Sequence, residues 1–447
     1  YEEEQDKYLR LGYSKDERIG SQGVERWGEP YLTGTRGGTL LILDENDKVV
    51  TQLASTEPKP AQEIFTTFDK EFQVGVQHAM SGYYGAVVVL EMDTGRVLAM
   101  ASSPSFDPNA FNPANYNSNQ QLQELYNNQQ SPLLNRATQG LYPLGSVFKI
   151  ITMATALESG VYTPEDTYEC GYHFNELEGK ELHDWTWEHF QEDGETMPSG
   201  LLTLPEGLMR SCNPWFWHIG LDLFRRGMTD AISEMARGFG LGSVTGIEAL
   251  EEEPGNIPVP EAEVDATNLA IGQGNMQVTP LQVAQFVAAL GNGGTLYRPQ
   301  IIESVQTLGG EEVYSFEKNA VGELPISQST MDTVTNAMFQ VVENPRGTAS
   351  HRFRGMQIPV AGKTGTAESG GWLPHSWFVG YTAVNNENKP DIAVVVIAEN
   401  AGEGSDIAAP IFRRVVELYF DQYLRLYPWE SEVGVWATPE DEEDSGP

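Results

Sequence analysis

Residues 142–149 read Tyr142-Pro-Leu-Gly-Ser-Val-Phe-Lys149. This stretch predicts the start of a helix and the pair of side chains on which the predicted chemistry depends. Ser146 and Lys149 stand three positions apart at the start of an apolar segment that continues to Leu157 at helical spacing. Side chains at i and i+3 share one face of a helix, so the Lys149 amine is expected within reach of the Ser146 hydroxyl. A serine needs a neighbouring base to become a nucleophile, and a lysine acts as that base only when it is deprotonated. The stretch therefore predicts a serine nucleophile with a lysine base.

Two further motifs follow in order, Ser211-Cys-Asn213 and Lys363-Thr-Gly365, and each pattern occurs once in the chain. The Ser-x-x-Lys pattern occurs twice, because Ser315 and Lys318 have the same spacing. That second match lies in a polar, strand-like segment, whereas Ser146 opens an apolar helix. Ser146 alone could be a helix cap beside a solvated lysine, but the ordered set of three motifs favours a catalytic site.

The third motif predicts a site for an anionic substrate end. Lys363 would attract that anion and would also help to keep Lys149 neutral. Thr364 and Thr366 offer hydroxyls to a carboxylate, and Gly365 lets a ligand approach the strand backbone closely. The start of the Ser146 helix would also point backbone N–H groups at a developing oxyanion.

Hydrophobic patterning predicts an α+β fold, or a three-layer sandwich, whose sheet joins distant segments. The expected elements are a hairpin of strands 85–92 and 97–102, a helix from Ser146 to Leu157, a helix over 280–291, a strand ending near Lys363, a hairpin of strands 377–384 and 392–398, and a helix over 407–426. The helix at 280 has Thr279 as its cap and Gln282 in a capping-box position.

Composition limits the classes of function. The 447 residues contain 64 Asp and Glu against 27 Lys and Arg, a formal charge of −37, which argues against a nucleic-acid partner. Hydrophobic residues make up 40% of the chain, enough for a sizeable core, and this length suggests two or three domains. No apolar run reaches the roughly 18 residues of a membrane span. Because the chain starts at Tyr1 without a signal-like stretch, we expect it to be trimmed from a longer protein.

The two cysteines, Cys170 and Cys212, leave three alternatives open: one disulfide, two free thiols or two metal ligands. Asp184 and His189 lie between them, and Cys170, Asp184, His189 and Cys212 would form a credible tetrahedral zinc set. The competing interpretation is a pair of buried thiols beside an acidic surface insertion with ordinary surface histidines.

Taken together, the motifs resemble the penicillin-binding proteins with D,D-transpeptidase domains, whose signature includes Ser-x-x-Lys and Lys-Thr-Gly. The resemblance also covers residues 135–137, 270–274 with 278–282, 362–367 with 376–380, and 23–25 with 32–34. It departs from the family at Leu144, where proline is usual, and at Pro214, which follows the second motif. Neither departure removes a reactive group.

The resemblance implies a penicillin-binding or serine β-lactamase-like α+β domain, with an antiparallel sheet flanked by helices and an all-helical part. It assigns the end of a pedestal domain and a linker to residues 1–60, the transpeptidase domain to 61–427 and an acidic tail to 428–447. The chain is similar to monofunctional class B members. The segment from Cys170 to His189 is similar to that of elongation-type members, some of which carry zinc there.

The resemblance also implies roles for the matching residues. Ser146 would attack the D-Ala-D-Ala carbonyl of a peptidoglycan stem peptide, and Lys149 would be the general base. Ser211 and Asn213 would relay protons and position the substrate. Lys363, Thr364 and Thr366 would bind the terminal carboxylate, with the Thr366 and Ser146 N–H groups as the oxyanion hole. β-Lactams would acylate the same serine, and catalysis would require no cofactor.

The implied setting is the extracytoplasmic face of a bacterial cell membrane, with an N-terminal helix as the anchor and a membrane glycosyltransferase as a partner in cell-wall synthesis. Two alternatives remain at this stage. One is a D,D-carboxypeptidase or β-lactamase on the same fold, which passes the acyl group to water. The other is a β-lactam sensor or a scaffold that binds without turnover.

Overall fold

The structure is a computed structural model that describes residues 2–14, 17–112, 114–371, 373–386 and 388–421. Its strands are β1 (Gly38–Leu43), β2 (Val49–Thr56), β3 (Glu63–Thr66), β4 (Gly85–Glu91), β5 (Val97–Ser103), β6 (Thr167–Cys170), β7 (His173–Phe174), β8 (Leu182–His183), β9 (Gly200–Thr203), β10 (Thr295–Tyr297), β11 (Ile302–Gln306), β12 (Glu312–Ser315), β13 (Ala320–Glu323), β14 (Val360–Ala367), β15 (His375–Thr382) and β16 (Ile392–Ala398).

The α-helices are α1 (Glu2–Arg10), α2 (Gly23–Leu32), α3 (Lys70–Ala79), α4 (Ser118–Asn127), α5 (Lys149–Glu158), α6 (Trp185–Asp193), α7 (Leu204–Arg210), α8 (Asn213–Arg225), α9 (Ala231–Gly238), α10 (Glu263–Ala270), α11 (Pro280–Gly291), α12 (Gln328–Glu343) and α13 (Ala408–Tyr419). Two 3₁₀ turns cover Pro108–Phe111 and Gly145–Phe148. Within the described part of the chain, no helix is both long and apolar enough to cross a membrane.

The chain divides into two compact units that are not continuous in sequence. The first comprises residues up to Thr67 together with Ile247–Glu251 and Gln300–Glu317. In it, β12, β11 and β3 form a three-stranded antiparallel sheet, and β1 pairs with β2 in a separate ribbon. The second unit contains the other described residues, including all three sequence motifs.

A five-stranded antiparallel sheet with the order β14-β15-β16-β4-β5 organises the second unit. Successive side chains of a strand point to opposite faces, and here both faces are covered. Val87 and Val89 pack in one core with residues of α3 and α13, while α11 packs against β4 and β16. Every residue of β16 is buried, which explains why its sequence is a continuous apolar run instead of an alternating one.

The predicted α+β fold, an antiparallel sheet flanked by helices, is confirmed. The N-terminal hairpin β4–β5 and the later hairpin β15–β16 lie in one sheet, as expected. The helix α11 has the predicted bounds, with Thr279 and Gln282 forming the capping box. The remaining helices of this part, among them α5, α7, α8 and α9, pack on one another and supply the expected helical part.

Two predicted element boundaries were wrong, and a third falls outside the residues that the structure describes. The strand β14 does not end near Lys363, because its pairing with β15 continues to Ala367 opposite His375. The helix expected from Ser146 begins as a 3₁₀ turn, and α5 proper starts at Lys149. The last helix ends at Tyr419, and both its predicted end and the predicted acidic tail fall in residues 422–447, outside the described residues.

Candidate active site

Ser146 lies in the 3₁₀ turn that leads into α5, and this turn packs beside β14. Two glycines allow the turn to approach β14 and the loop at residue 272 closely. Gly145 has a φ of 57°, and a Cβ there would lie 2.6 Å from the Thr366 carbonyl oxygen. A Cβ on Gly272 would lie 2.4 Å from the Gly145 carbonyl oxygen. A larger residue at either position would push the nucleophile away from β14 or from the 272 loop.

The segment that approaches the nucleophile is fixed to the central sheet. The Arg136 guanidinium and the Tyr142 hydroxyl both donate to Glu399 Oε1, at 2.9 Å and 2.6 Å, just beyond the end of β16. The Trp377 indole donates to the Pro143 carbonyl at 3.1 Å. These bonds hold the start of the Ser146 turn at a constant distance from the strands.

Lys149 is fully buried and points at the second motif. Its amine donates to the Ser211 carbonyl at 2.7 Å and to Asn213 Oδ1 at 2.6 Å, and it lies 3.3 Å from Ser211 Oγ. Burial lowers the pKa of Lys149 to about 7, because a desolvated ammonium is unfavourable. A lysine in this state can accept a proton at neutral pH.

Lys363 also contacts the hydroxyl of Ser211. Its amine donates to Ser211 Oγ and to the Thr364 carbonyl, both at 2.9 Å. Burial, and then the positive charge of Lys149, hold the pKa of Lys363 well below its usual value. The Ser211 hydroxyl therefore joins the two buried lysines. Among the described residues the Ser146 hydroxyl makes no hydrogen bond, so its contact with Lys149 stays a prediction.

The second motif connects two helices. Ser211 follows α7 with a φ of 55°, a left-handed conformation that is unusual for a residue with a side chain. Asn213 then begins α8, with Pro214 in its first turn. Proline is favoured in the first helical turn, where its missing N–H is not needed. The departure from the family pattern at Pro214 thus fits the local structure.

Asp184, predicted as a metal ligand, performs a different task in this structure. It caps α6, and its carboxylate accepts hydrogen bonds from the Asn213 backbone N–H at 2.9 Å and from the Thr186 hydroxyl at 2.7 Å. It is fully buried, and burial raises its pKa. Its negative charge opposes part of the lowering of the Lys149 pKa. The aspartate directly before α6 was the signal that could have predicted the cap, because Asp is a favoured residue at the N-cap position.

The third motif contacts Glu403, a residue that the sequence motifs did not predict. Thr366, a predicted carboxylate ligand, donates its hydroxyl to Glu403 Oε2 at 2.8 Å. Thr364 shares a hydrogen bond of 2.8 Å with the Thr348 hydroxyl. A carboxylate that binds to Thr366 must therefore compete with Glu403. Nothing in the local sequence distinguished Glu403 from the many other acidic residues of the chain.

The structure joins Cys170 to Cys212 as a disulfide, one of the three alternatives that the sequence left open. Cys170, Asp184 and Cys212 have ligand atoms within 4.8 Å of one another, but His189 is not part of that cluster of described residues. Cysteine binds zinc as a thiolate, and both sulfurs are oxidised here. The four predicted ligands therefore do not fit zinc in this oxidation state.

Reduction of this disulfide should destabilise the protein. The two cysteines are 42 residues apart, and a cross-link of that span is expected to contribute about 4 kcal/mol to the free energy of unfolding by restricting the unfolded chain. Urea unfolding with and without a phosphine reductant measures this difference. A Cys170→Ala/Cys212→Ala variant is the control, because reductant should not change its stability. An equal stability of oxidised and reduced wild-type protein would contradict the prediction.

The site combines a serine three positions before a buried lysine with a hydroxyl that joins this lysine to a second one, a set of side chains that suits serine acyl transfer. Residues 85–417 match the family described as "Penicillin binding protein transpeptidase domain", and residues 1–66 match "Penicillin-binding Protein dimerisation domain". The chain belongs to the penicillin-binding protein transpeptidase family, as the sequence motifs predicted.

Individual relatives agree with this membership. The Peptidoglycan D,D-transpeptidase MrdA of Haemophilus influenzae is 31% identical over 454 residues, which cover 94% of this chain and 65% of that protein. The chain thus spans somewhat less than two thirds of that relative's length. A structure of penicillin-binding protein A from Mycobacterium tuberculosis, as a ceftriaxone acyl-enzyme complex, is 29% identical with a TM-score of 0.70 and covers 80% of each chain. A structure from a peptidoglycan synthase complex is 30% identical with a TM-score of 0.74, covering 94% of this chain and 73% of that one.

Proposed function

We propose that this protein is a peptidoglycan D,D-transpeptidase that works through an acyl-enzyme on Ser146. The observation that carries the proposal is the line of hydrogen bonds from Lys149 through Ser211 to Lys363. Two fully buried lysines that share one hydroxyl cannot both stay protonated without a large electrostatic cost. The arrangement therefore supplies the neutral amine that a serine nucleophile requires.

In the first half-reaction, the neutral Lys149 amine takes the proton of the Ser146 hydroxyl. Ser146 Oγ forms a bond to the carbonyl carbon of the penultimate D-Ala of a donor stem. The bond from that carbon to the nitrogen of the terminal D-Ala then breaks, and the leaving amine receives a proton from Lys149 by way of the Ser211 hydroxyl. Backbone N–H groups of Ser146 and Thr366 would stabilise the negative oxygen formed in between.

In the second half-reaction, an amine of another stem peptide attacks the acyl-enzyme carbonyl. A proton leaves that amine for the base, the bond to Ser146 Oγ breaks, and the serine recovers its proton. The products are a cross-linked pair of stems and the free enzyme. A β-lactam would enter the first half-reaction only, because its ring opens and its amine stays attached to the acyl group.

Two measurements test this proposal. A fluorescent penicillin should label the protein covalently with one group per chain, and a donor stem with an acceptor amine should give a cross-linked product. Release of free D-Ala without cross-links would instead indicate a carboxypeptidase, and rapid turnover of penicillin would indicate a β-lactamase. A protein that penicillin does not label would contradict the proposed acyl-enzyme on Ser146.

The rate of acylation should depend on pH with a midpoint near 7. The reactive form of Lys149 is the neutral amine, and its pKa is lowered to about 7. Below that pH the amine is protonated, so the second-order rate constant for penicillin acylation should fall about tenfold per pH unit. Stopped-flow or gel-based labelling from about pH 5 to about pH 9 gives the profile. A rate constant that still rises about tenfold per unit between about pH 8 and about pH 9, as the ordinary lysine pKa of 10.5 would require, would contradict the assignment of Lys149 as base.

Glu403→Gln should speed acylation by an anionic β-lactam. The Thr366 hydroxyl now donates to a charged carboxylate, and a neutral amide is a weaker competitor by about 1 kcal/mol. We expect the rate constant to rise about fivefold. Glu234→Gln, on the exposed surface of α9, removes the same charge at a remote position and should change nothing. A rate that falls in Glu403→Gln would show that Glu403 assists Thr366 instead of competing for it.

The wider setting is also a proposal. We place the end of the pedestal domain and linker in 1–60, the transpeptidase domain in 61–427 and the acidic tail in 428–447. The full-length protein would be anchored in a bacterial cell membrane with this domain outside, and would serve cell elongation. The similarity to a structure from a peptidoglycan synthase complex that coordinates polymerization and crosslinking supports a membrane glycosyltransferase as its partner.

A structural zinc is compatible only with the reduced protein. Reduction would release two thiols, Cys170 and Cys212, next to Asp184, and His189 or another group would have to complete the set. Zinc analysis of reduced and oxidised samples after dialysis tests this directly. We expect no zinc at this cluster in the oxidised protein, because both sulfurs are in the disulfide. A gain of less than about a tenth of an equivalent on reduction would end the proposal of zinc at this cluster.

A further inference from the structure

A second group of metal-ligand side chains lies outside the active site, on the small hairpin formed by β7 and β8. His173 and His183 occupy directly opposite positions of this antiparallel pair. Glu181 lies two residues before His183, the spacing that places two side chains on the same face of an extended segment. The three side chains have ligand atoms within 4.8 Å of one another.

The distances match those between the ligands of a small metal ion. Glu181 Oε1 lies 3.4 Å from His173 Nδ1 and 3.1 Å from His183 Nε2. Ligands that sit about 2.1 Å from a tetrahedral zinc ion are about 3.4 Å from each other. All three side chains are exposed, with 36% to 54% of their surface accessible, so an ion can reach them from solvent.

The hairpin is held in place by packing beneath it. The two imidazole rings lie 5.1 Å apart, and the Trp187 ring of α6 lies 4.7 Å from the His173 ring. The residues next to the histidines, Phe174 and Leu182, pack into a separate apolar cluster with Trp217 and its neighbours. The ligand positions are thus fixed by the fold, which reduces the entropy lost when an ion binds.

We propose that His173, Glu181 and His183 form a surface site for a borderline divalent transition-metal ion such as Zn²⁺, with the remaining coordination positions open to solvent. Two imidazoles and one carboxylate are a donor set that suits zinc, nickel and copper better than magnesium or calcium. The site shares no residue with the Cys170, Asp184 and Cys212 cluster, and it does not depend on the proposed transpeptidase activity.

The test measures metal binding by protein that carries no affinity tag and keeps its disulfide intact, so that cysteine thiols cannot contribute. Titration calorimetry with Zn²⁺ and then Ni²⁺, in excess Mg²⁺, should show one saturable equivalent. His173→Ala and His183→Ala should each weaken binding at least tenfold. Glu181→Gln, a conservative change at the most exposed ligand, should also weaken binding. This variant keeps the test valid if either histidine variant fails to fold.

The chain offers a matched control in His218 of α8, whose Nδ1 lies 2.7 Å from Glu176 Oε2. This pair is a half-buried histidine and an exposed glutamate, without a second histidine beside it in the clusters of described residues. His218→Ala should therefore leave the affinity for Zn²⁺ unchanged. Absence of saturable binding, full binding in Glu181→Gln and His183→Ala, or an equal loss in His218→Ala would each overturn the proposal.

Discussion

Ser146→Ala is expected to abolish covalent labelling by penicillin completely, because among the described residues only Ser146 is a hydroxyl residue in a helical turn three positions before a buried lysine. The second Ser-x-x-Lys match cannot replace it. Ser315 is the exposed last residue of β12 and belongs to a strand. Its side chain is therefore not three residues ahead of a lysine in a helical turn, the arrangement that we propose activates Ser146.

The control for this variant is Ser315→Ala, which should label as the wild-type protein does. Circular dichroism and thermal unfolding should show that both variants are folded. We expect this result because each substitution removes only one hydroxyl group. Stoichiometric labelling of Ser146→Ala would show that the nucleophile is wrongly assigned, whatever the behaviour of the other variant.

Lys149→Met is expected to lower the rate constant of acylation by about 10² to 10⁴, the usual contribution of a general base. Methionine fills the space of the buried stem without offering an amine. The same substitution also removes the pH dependence near 7, because the group that titrates there is gone. Measuring the acylation rate of the variant across the pH range tests both expectations at once.

The matched control for Lys149→Met is Lys318→Met, in the second Ser-x-x-Lys match, which should leave the rate unchanged. If Lys149→Met retained most of the wild-type rate, Lys363 would become the better candidate for the base. Its pKa is also lowered, and it lies 2.9 Å from the same Ser211 hydroxyl. Lys363→Met would then show the larger loss.

Much of the fold could be predicted because its elements carry strong local signals. The Thr279-Pro280 start of α11 is a capping box followed by a first-turn proline, and the structure has both. The hairpin β4–β5 was marked by an Asp and Gly turn between two apolar runs. Strand ends were harder, since the end of β14 depends on its pairing with β15 and not on its own residues.

The candidate site divides in the same way. Its lysines and hydroxyls were predictable because each stands in a short motif, and the structure brings Lys149, Ser211, Asn213 and Lys363 together. Glu403 was not predictable, because its contact with Thr366 joins residues 37 positions apart without any pattern. The state of the two cysteines was equally undetermined, since a disulfide depends on distance in space and not on spacing in sequence.

Peptide mapping of the penicillin-treated protein by mass spectrometry identifies the residue that is acylated. We expect one penicilloyl group per chain, on the peptide that contains Ser146 and on no other. The adduct should form more slowly below pH 7, when Lys149 is protonated. An unmodified Ser146 peptide, or a group attached at Ser315 or Ser211, would contradict the account.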